Sequence, residues 1–140
     1  MKFLSIIYGV TIRLRNWLYD HGYFRSERGV LPTIVIGNFT VGGNAKSPIA
    51  QAVATELRKH GFTPSILLRG YGGSFRGPHL VTERDSPANV GDEACMHMSV
   101  LPDVPIVVSR DRLAGVRMIA ERDLADVVVL DDGLQHRALK

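Results

Sequence analysis

A lysine and a hydroxyl residue stand side by side after a glycine-containing stretch. Residues 34–47 read IVIGNFTVGGNAKS, in which a β-branched run leads into a loop of small residues and then into Lys46 and Ser47. Strand, glycine loop, Lys-Ser and helix is the layout of a P-loop. There, backbone N–H groups and the dipole of the following helix hold phosphate oxygens, the lysine reaches the β- and γ-phosphates, and the hydroxyl takes a place on Mg²⁺. The predicted phosphate-binding residues are Thr40, Val41, Gly42, Gly43, Asn44, Ala45, Lys46 and Ser47.

This loop departs from the motif G-x-x-x-x-G-K-[ST]. Ala45 stands before the lysine where the motif has glycine, and Thr40 occupies the position of the first glycine. The two glycines of the loop, Gly42 and Gly43, lie inside the motif. On this stretch alone, a nucleotide-binding loop and an ordinary β–α turn both stay open.

A second chemical feature lies near the end of the chain, where an apolar run stops at two carboxylates. Residues 126–132 read DVVVLDD, and Asp131-Asp132 follows the run directly. An apolar strand that ends in aspartate is the Walker B arrangement, in which the carboxylate holds Mg²⁺ opposite the P-loop hydroxyl. A strand-end aspartate also often caps a turn. The combination with the upstream loop favours nucleotide binding.

The elements between these motifs predict an α/β fold with a P-loop-like parallel sheet covered by helices. Apolar runs that are continuous rather than alternating indicate strands buried on both faces. The predicted strands are 33–37, 65–68, 105–108 and 126–130; the predicted helices are 48–61, 91–100 and 111–122. Residues 74–90 lack periodicity and are predicted to be a surface excursion. The strand ends would gather the loop of 40–47, the Arg69 loop, Ser109-Arg110 and Asp131-Asp132 at one edge.

The N-terminal segment differs from the rest of the chain. Residues 1–30 carry a net charge of +3, whereas residues 31–140 hold twelve acidic and twelve basic residues. This distribution argues against a nucleic-acid-binding face on the core. Residues 3–19 have one apolar helical face and are too short and too interrupted by arginine to span a bilayer. An amphipathic helix at a membrane surface and a helix packed on the domain's own core both remain open.

Length and cysteine content set further limits. The chain has 140 residues, enough for one domain with one core. Its single cysteine, Cys95, excludes an internal disulfide and a multi-cysteine zinc site. We expect Cys95, Met96 and Met98 to be buried on their helix rather than chemically active.

Four stretches together resemble one protein family. TVGGNAKSP, RGYGG, VGDE and VVVLDDGLQHR, in this order, resemble the tetraacyldisaccharide 4'-kinases of lipid A biosynthesis. The resemblance covers nearly all 140 residues. It implies an ATP- and Mg²⁺-dependent kinase that phosphorylates the 4'-hydroxyl of a lipid A disaccharide 1-phosphate, a step of lipopolysaccharide synthesis. It also implies a peripheral location at the cytoplasmic face of the bacterial inner membrane, with residues 1–30 on the membrane and residues 31–140 as part of the kinase domain.

The resemblance also implies roles for individual residues. Lys46 and Asp92 would be catalytic, with Asp92 as the base, or the residue that orients the base, at the acceptor hydroxyl. Mg²⁺ would be held by Ser47, Asp131 and Asp132. Further loop candidates are Arg69, Gln135 and His136. No nucleic-acid partner is implied.

Several positions have a plainer interpretation. Asp92 could merely cap its helix. We expect His97 to be a helix-face residue rather than a ligand. Arg110 and Arg112 are predicted to form surface ion pairs.

The length of the chain leaves alternative functions open. Family members are about twice as long, so the C-terminal half of the P-loop domain and part of the acceptor cleft are expected to be missing from these 140 residues. The alternatives are a soluble P-loop NTPase of another pathway and a non-catalytic nucleotide-binding remnant.

The family has glycine where this chain has Ala45, and this difference gives a first prediction. Replacing Ala45→Gly is expected to tighten ATP binding, because the methyl group would crowd the β-phosphate or strain the loop. Titration calorimetry of parent and variant measures the change. An unchanged or weaker affinity would mean that the loop is adapted to Ala45.

Overall fold

The computed structural model describes residues 29–37 and 46–131, all within a compact unit that spans 29–136. Its elements in chain order are β1 (Thr33–Ile36), α1 (Lys46–Lys59), β2 (Pro64–Leu68), β3 (His79–Leu80), α2 (Pro87–Val90), α3 (Asp92–Val100), β4 (Ile106–Val108), α4 (Arg112–Glu121) and β5 (Val127–Asp131). The predicted helix at residues 3–19 and the predicted phosphate loop from Thr40 to Ala45 lie outside the described residues. So do Asp132, Gln135 and His136.

The five strands in the described part of the chain form one sheet in the order β1-β5-β2-β4-β3. The strands β1, β5, β2 and β4 run parallel, which confirms the predicted α/β class. The edge strand β3 is antiparallel to β4 and was not predicted. It has only two residues, His79 and Leu80, too few to produce a periodic signal. The excursion predicted for residues 74–90 therefore contains both this strand and the short helix α2.

The central strands are buried because helices cover both faces of the sheet. Along β2, Ile66 and Leu68 belong to the core cluster that includes Ala50 and Ala54 of α1. The intervening Leu67 faces α4, where a Cβ on Gly115 would lie 2.7 Å from the Leu67 side chain. Every residue of β2 and β5 is buried, as expected for a parallel sheet between two helical layers.

Several apolar residues at the sheet edge and on the helices are more exposed to solvent than the sequence pattern suggests. At the edge strand β1, Ile34 and Val35 are partly open to solvent. Ile49, an apolar residue in the first turn of α1, is 50% exposed, and Met96 of α3, which was expected to be buried, is also exposed. Cys95 and Met98 are partly buried against the core, as predicted. Burial raises the pKa of the Cys95 thiol, and the nearby carboxylates of Asp92 and Asp85 raise it further.

The RGYGG and VGDE stretches pack against each other. Backbone N–H groups of Ser74 and Phe75 donate to the carbonyls of Ala88 and Asn89, at 2.9 and 3.0 Å. Gly91 has a φ of +92°, and a Cβ at this position would lie 2.4 Å from the Tyr71 carbonyl oxygen. Only glycine combines that backbone conformation with that close an approach. The start of α3 is thereby held against the loop that follows β2.

A second set of contacts holds the segment around β3. The Asp85 carboxylate accepts hydrogen bonds from His79 Nε2 at 2.9 Å and from the Thr82 backbone at 2.7 Å. Burial acts to raise the pKa of Asp85, but hydrogen bonds from His79 and Thr82 outweigh it and leave this pKa below its usual value. Phe75 stacks on the His79 ring at 4.3 Å between centroids.

Within residues 29–37 and 46–131, no helix has the length and apolar character that crossing a bilayer requires.

The packing of Gly91 predicts a local loss of stability on substitution. Gly91→Ala should lower the free energy of unfolding by about 1–3 kcal/mol, because alanine disfavours this φ and its methyl would collide with the Tyr71 carbonyl. Gly77→Ala is the matched control, since a Cβ at Gly77 meets no atom within 4 Å. Urea unfolding of the two variants measures the difference, and equal stabilities would contradict the packing described.

Candidate active site

The carboxyl ends of the parallel strands lie side by side along one edge of the sheet, termed here the carboxyl edge and defined by Ile36, Leu68, Val108 and Asp131. Ile36 is in register with Asp131, and Leu68 with Val108. The segment that leads into the predicted phosphate loop therefore leaves the sheet next to Asp131. Arg69 and Ser109 leave the same edge from the neighbouring strands. The sequence prediction that these features meet at one edge is correct for the residues that the structure describes.

Asp131 is a deeply buried carboxylate at this edge, with a relative exposure of 3%. Its Oδ2 lies 3.1 Å from Nε2 of His97, which is fully buried. Its Oδ1 is equally inaccessible and has no hydrogen-bond partner among the described residues. A buried carboxylate oxygen without a partner is costly unless a ligand satisfies it. Oδ1 is thus the atom of Asp131 that a ligand would satisfy.

This oxygen fits a divalent cation. Mg²⁺ prefers carboxylate and hydroxyl oxygens, and in nucleotide sites one or two protein ligands suffice because phosphates and waters complete its shell. The described residues contain no group of three or more His, Cys, Asp or Glu side chains arranged for a metal.

Helix α1 starts beside the strand that carries Asp131. It begins at Lys46, with the half-buried Ser47 as its second residue and Pro48 in its first turn, and it packs against β1, β2 and β5. Its first turn contains no acidic residue, whereas Arg58 and Lys59 occupy its last turn. The positive end of the helix dipole is therefore not neutralised by the helix's own side chains. An anion near the start of α1 would be stabilised.

Asp92 is exposed and is the first residue of α3. The cap position of that helix belongs to Gly91, so the interpretation of Asp92 as the helix cap is wrong. No described residue hydrogen-bonds with the Asp92 carboxylate. It is placed by the contact between Gly91 and Tyr71, which joins its helix to the loop after β2.

The arginines of the edge divide into two types. Arg69 and Arg110 are exposed and accessible to an anion. Arg112 is 3% exposed, and its Nη1 donates to the Ser109 carbonyl. The predicted surface position of Arg112 is therefore wrong, because this guanidinium is buried where it meets the chain between β4 and α4. Asp111 caps α4 by accepting from the backbone of Leu113 and Ala114.

The contact that sequence reasoning missed is that of His97, which was expected to be a helix-face residue rather than a ligand and was given no buried partner. A signal for its burial was present. His97 lies three residues after Ala94 and four before Leu101, and both of these residues are buried. Positions with this spacing share one helix face. His97 therefore lies on the apolar face of α3. A ring nitrogen buried on that face needs a polar partner, and Asp131 supplies one for Nε2.

A cavity of about 500 Å³ lies elsewhere, where β4 begins. Its walls are largely apolar, and the charged residues among them, Glu83 and Asp103, are both acidic. Two carboxylates would repel a phosphate group. The cavity therefore does not compete with the carboxyl edge as a nucleotide site.

The comparison with known proteins decides the family. The family described as LpxK, tetraacyldisaccharide-1-P 4'-kinase, matches residues 1–140. The chain belongs to this family. The resemblance inferred from the four stretches is thereby confirmed, and a P-loop protein of an unrelated family is excluded.

Individual LpxK relatives support the family assignment. A tetraacyldisaccharide 4'-kinase of Coxiella burnetii (strain Dugway 5J108-111) is 43% identical over 136 residues, and one of Halorhodospira halophila is 40% identical over 138 residues. A crystal structure of LpxK from Aquifex aeolicus in complex with ATP superposes with a TM-score of 0.89 at 35% identity and covers 98% of this chain. The chain spans 42% of the length of the two curated relatives and 44% of the Aquifex chain.

The start of α1 gives a prediction for nucleotide binding. Lys46→Ala should weaken Mg·ATP binding by at least about tenfold, because a hydrogen bond to a charged group contributes about 1.5–3 kcal/mol. Lys59→Ala, at the exposed far end of the same helix, is the matched control and should leave the affinity unchanged. Titration calorimetry compares the two variants with the parent. Equal affinities for all three proteins would contradict the phosphate loop assignment.

Proposed function

We propose that this chain forms the ATP-binding part of a tetraacyldisaccharide-1-P 4'-kinase, which transfers the γ-phosphate of ATP to the 4'-hydroxyl of a lipid A disaccharide 1-phosphate. One observation carries the proposal. The buried carboxylate of Asp131 keeps Oδ1 without a described partner, in register with the end of β1, where the predicted phosphate loop follows in the sequence.

The phosphate chain of ATP would be bound by residues 40–47. Backbone N–H groups of the loop from Thr40 to Ala45 would donate to phosphate oxygens, and the start of α1 would add its dipole. Lys46 would place a positive charge at the β- and γ-phosphates. Phosphoryl transfer depends mainly on positioning and on charge neutralisation, and this set of groups supplies both.

The metal ligands would be the Ser47 hydroxyl and the carboxylates of Asp131 and Asp132. Asp131 Oδ1 supports this assignment because it is a buried anionic oxygen with no partner among the described residues. Bound Mg²⁺ would neutralise the charge that develops on the β- and γ-phosphate oxygens.

Asp92 would act on the acceptor side. Its carboxylate is exposed, starts α3, and is held near the carboxyl edge by the Gly91–Tyr71 contact. As a base, or as the residue that orients one, it would draw the 4'-hydroxyl proton while the hydroxyl oxygen approaches the γ-phosphate. Arg69, Gln135 and His136 are candidates for further contacts with the phosphates or the sugar.

The acylated substrate calls for a membrane location. We propose that residues 1–30, with their net charge of +3 and amphipathic pattern, bind the cytoplasmic surface of the inner membrane. This would bring the active site to a substrate whose acyl chains stay in the bilayer.

The kinase proposal is tested by radiolabelled phosphate transfer from ATP to the disaccharide 1-phosphate. One sample is the 140-residue chain. The other is a chimera in which residues 31–140 replace the matching segment of the Coxiella burnetii relative. The chimera should transfer phosphate within about tenfold of that relative, whereas the chain alone should fall at least about 100-fold below it, because a misplaced acceptor is enough for such a loss.

Asp92→Asn in the chimera separates the acceptor side from the donor side. Transfer should fall by about 10²- to 10⁴-fold with ATP affinity unchanged, as expected when a proton acceptor is removed. A chimera that binds ATP but transfers no phosphate would contradict the proposed function. Transfer by the 140-residue chain within tenfold of the relative would contradict the expected need for the rest of the relatives' length.

A further inference from the structure

His97 makes a buried contact that the proposed roles leave unused. It lies in the middle of α3, fully excluded from solvent, and its Nε2 is 3.1 Å from Asp131 Oδ2. The two residues are 34 positions apart in the chain. The contact therefore joins the helix that begins with Asp92 to the strand that ends with Asp131.

The proton in this hydrogen bond can be assigned from the chemistry of the pair. An ionised carboxylate only accepts hydrogen bonds, so His97 Nε2 carries the proton and donates it to Asp131 Oδ2. The other ring nitrogen, Nδ1, has no partner within the part of the chain that the structure describes. The ring therefore has one described polar contact, and that contact is with Asp131.

This hydrogen bond gives the two oxygens of the Asp131 carboxylate different roles. Oδ2 is committed to His97, while Oδ1 has no described partner. A fixed donor on one oxygen also restricts rotation of the carboxylate plane. Ligating carboxylates are commonly held in this way, and loss of the supporting hydrogen bond weakens metal binding.

We propose that His97 is a positioning residue for the metal site: its Nε2–H bond to Asp131 Oδ2 holds the carboxylate so that Oδ1 is available to Mg²⁺. The inference rests on the proposed nucleotide function of the carboxyl edge and deepens it. It also adds a direct connection between α3 and the donor side of the site.

A purely structural role would have a different signature. Ser65 provides the comparison, since its Oγ donates to the Pro105 carbonyl at 2.8 Å and the residue is fully buried near the start of β2. Removing that bond should lower stability without changing how strongly Mg²⁺ promotes ATP binding. The measurable quantity is therefore the ratio of ATP affinity in Mg²⁺ to ATP affinity in EDTA.

The experiment measures this ratio by calorimetry on the 140-residue chain and its variants, with Mg²⁺ and ATP as the probes. His97→Leu should lower the ratio by about 10- to 100-fold, the usual effect of losing a supporting hydrogen bond at a metal ligand. ATP affinity in EDTA should change little. His97→Gln should keep most of the ratio, because its amide nitrogen can donate from nearly the position of Nε2, and Ser65→Ala should keep all of it.

Circular dichroism shows whether each variant folds, and a second variant is available if the first does not. If His97→Leu does not fold, His97→Asn replaces it, since its shorter side chain keeps an amide but does not reach Asp131. A ratio for the folded Leu or Asn variant equal to that of the parent would overturn the positioning role and leave the proposed function intact. Absence of ATP binding by the parent itself would overturn the proposed function and this inference with it.

Discussion

A buried carboxylate at the end of β5 is the constraint on which the rest of the site depends. Burial of an aspartate to a relative exposure of 3% is energetically costly unless charge or hydrogen bonds compensate it. His97 supplies one hydrogen bond from α3, which requires that helix to pack on the sheet with this histidine facing inward. The compensation is incomplete because Oδ1 has no described partner. A cation bound to Oδ1 would satisfy the carboxylate oxygen that the described residues leave without a hydrogen bond.

The four parallel strands, though not their order in the sheet, were predictable from the sequence. Continuous apolar runs such as ILL of β2 and VVVL of β5 predicted strands buried on both faces, and these strands occupy the centre of the sheet. The strand β3 was not predictable, because pairing of two residues with β4 depends on the neighbouring edge rather than on a pattern in the sequence. The exposure of Ile49 likewise depends on how α1 sits on the sheet, which its periodicity alone does not determine.

The candidate site was predictable as a set of strand ends but not as a set of contacts. Asp131 was recognised because an aspartate after an apolar strand has a known chemical use. His97 was missed because a lone histidine in a helix is most often a surface residue, and its partner lies far away in sequence. The burial of Arg112 was missed for a different reason: its Nη1 donates to the Ser109 carbonyl three residues earlier, a local contact that leaves no hydrophobic pattern in the sequence. The contact between His97 and Asp131 is set by tertiary packing.

Helix α3 can couple the donor and acceptor sides of the proposed site. Gly91 lies against the Tyr71 carbonyl, and the next residue is Asp92. His97 lies on the same helix and contacts Asp131. Helix α3 therefore carries the proposed acceptor base at its first turn and the support of the proposed metal ligand further along. A shift of this helix would disturb both groups together.

Mn²⁺ in place of Mg²⁺ offers the most direct test of the central claim that the carboxyl edge binds metal and nucleotide. Mn²⁺ takes the same oxygen ligands and broadens the amide NMR signals of nearby residues. With ATP present, broadening should be strongest at Ser47 and Asp131, and Leu124 beside the distant cavity should be spared. Broadening centred on that cavity, or its absence at Asp131 when ATP is bound, would contradict the account.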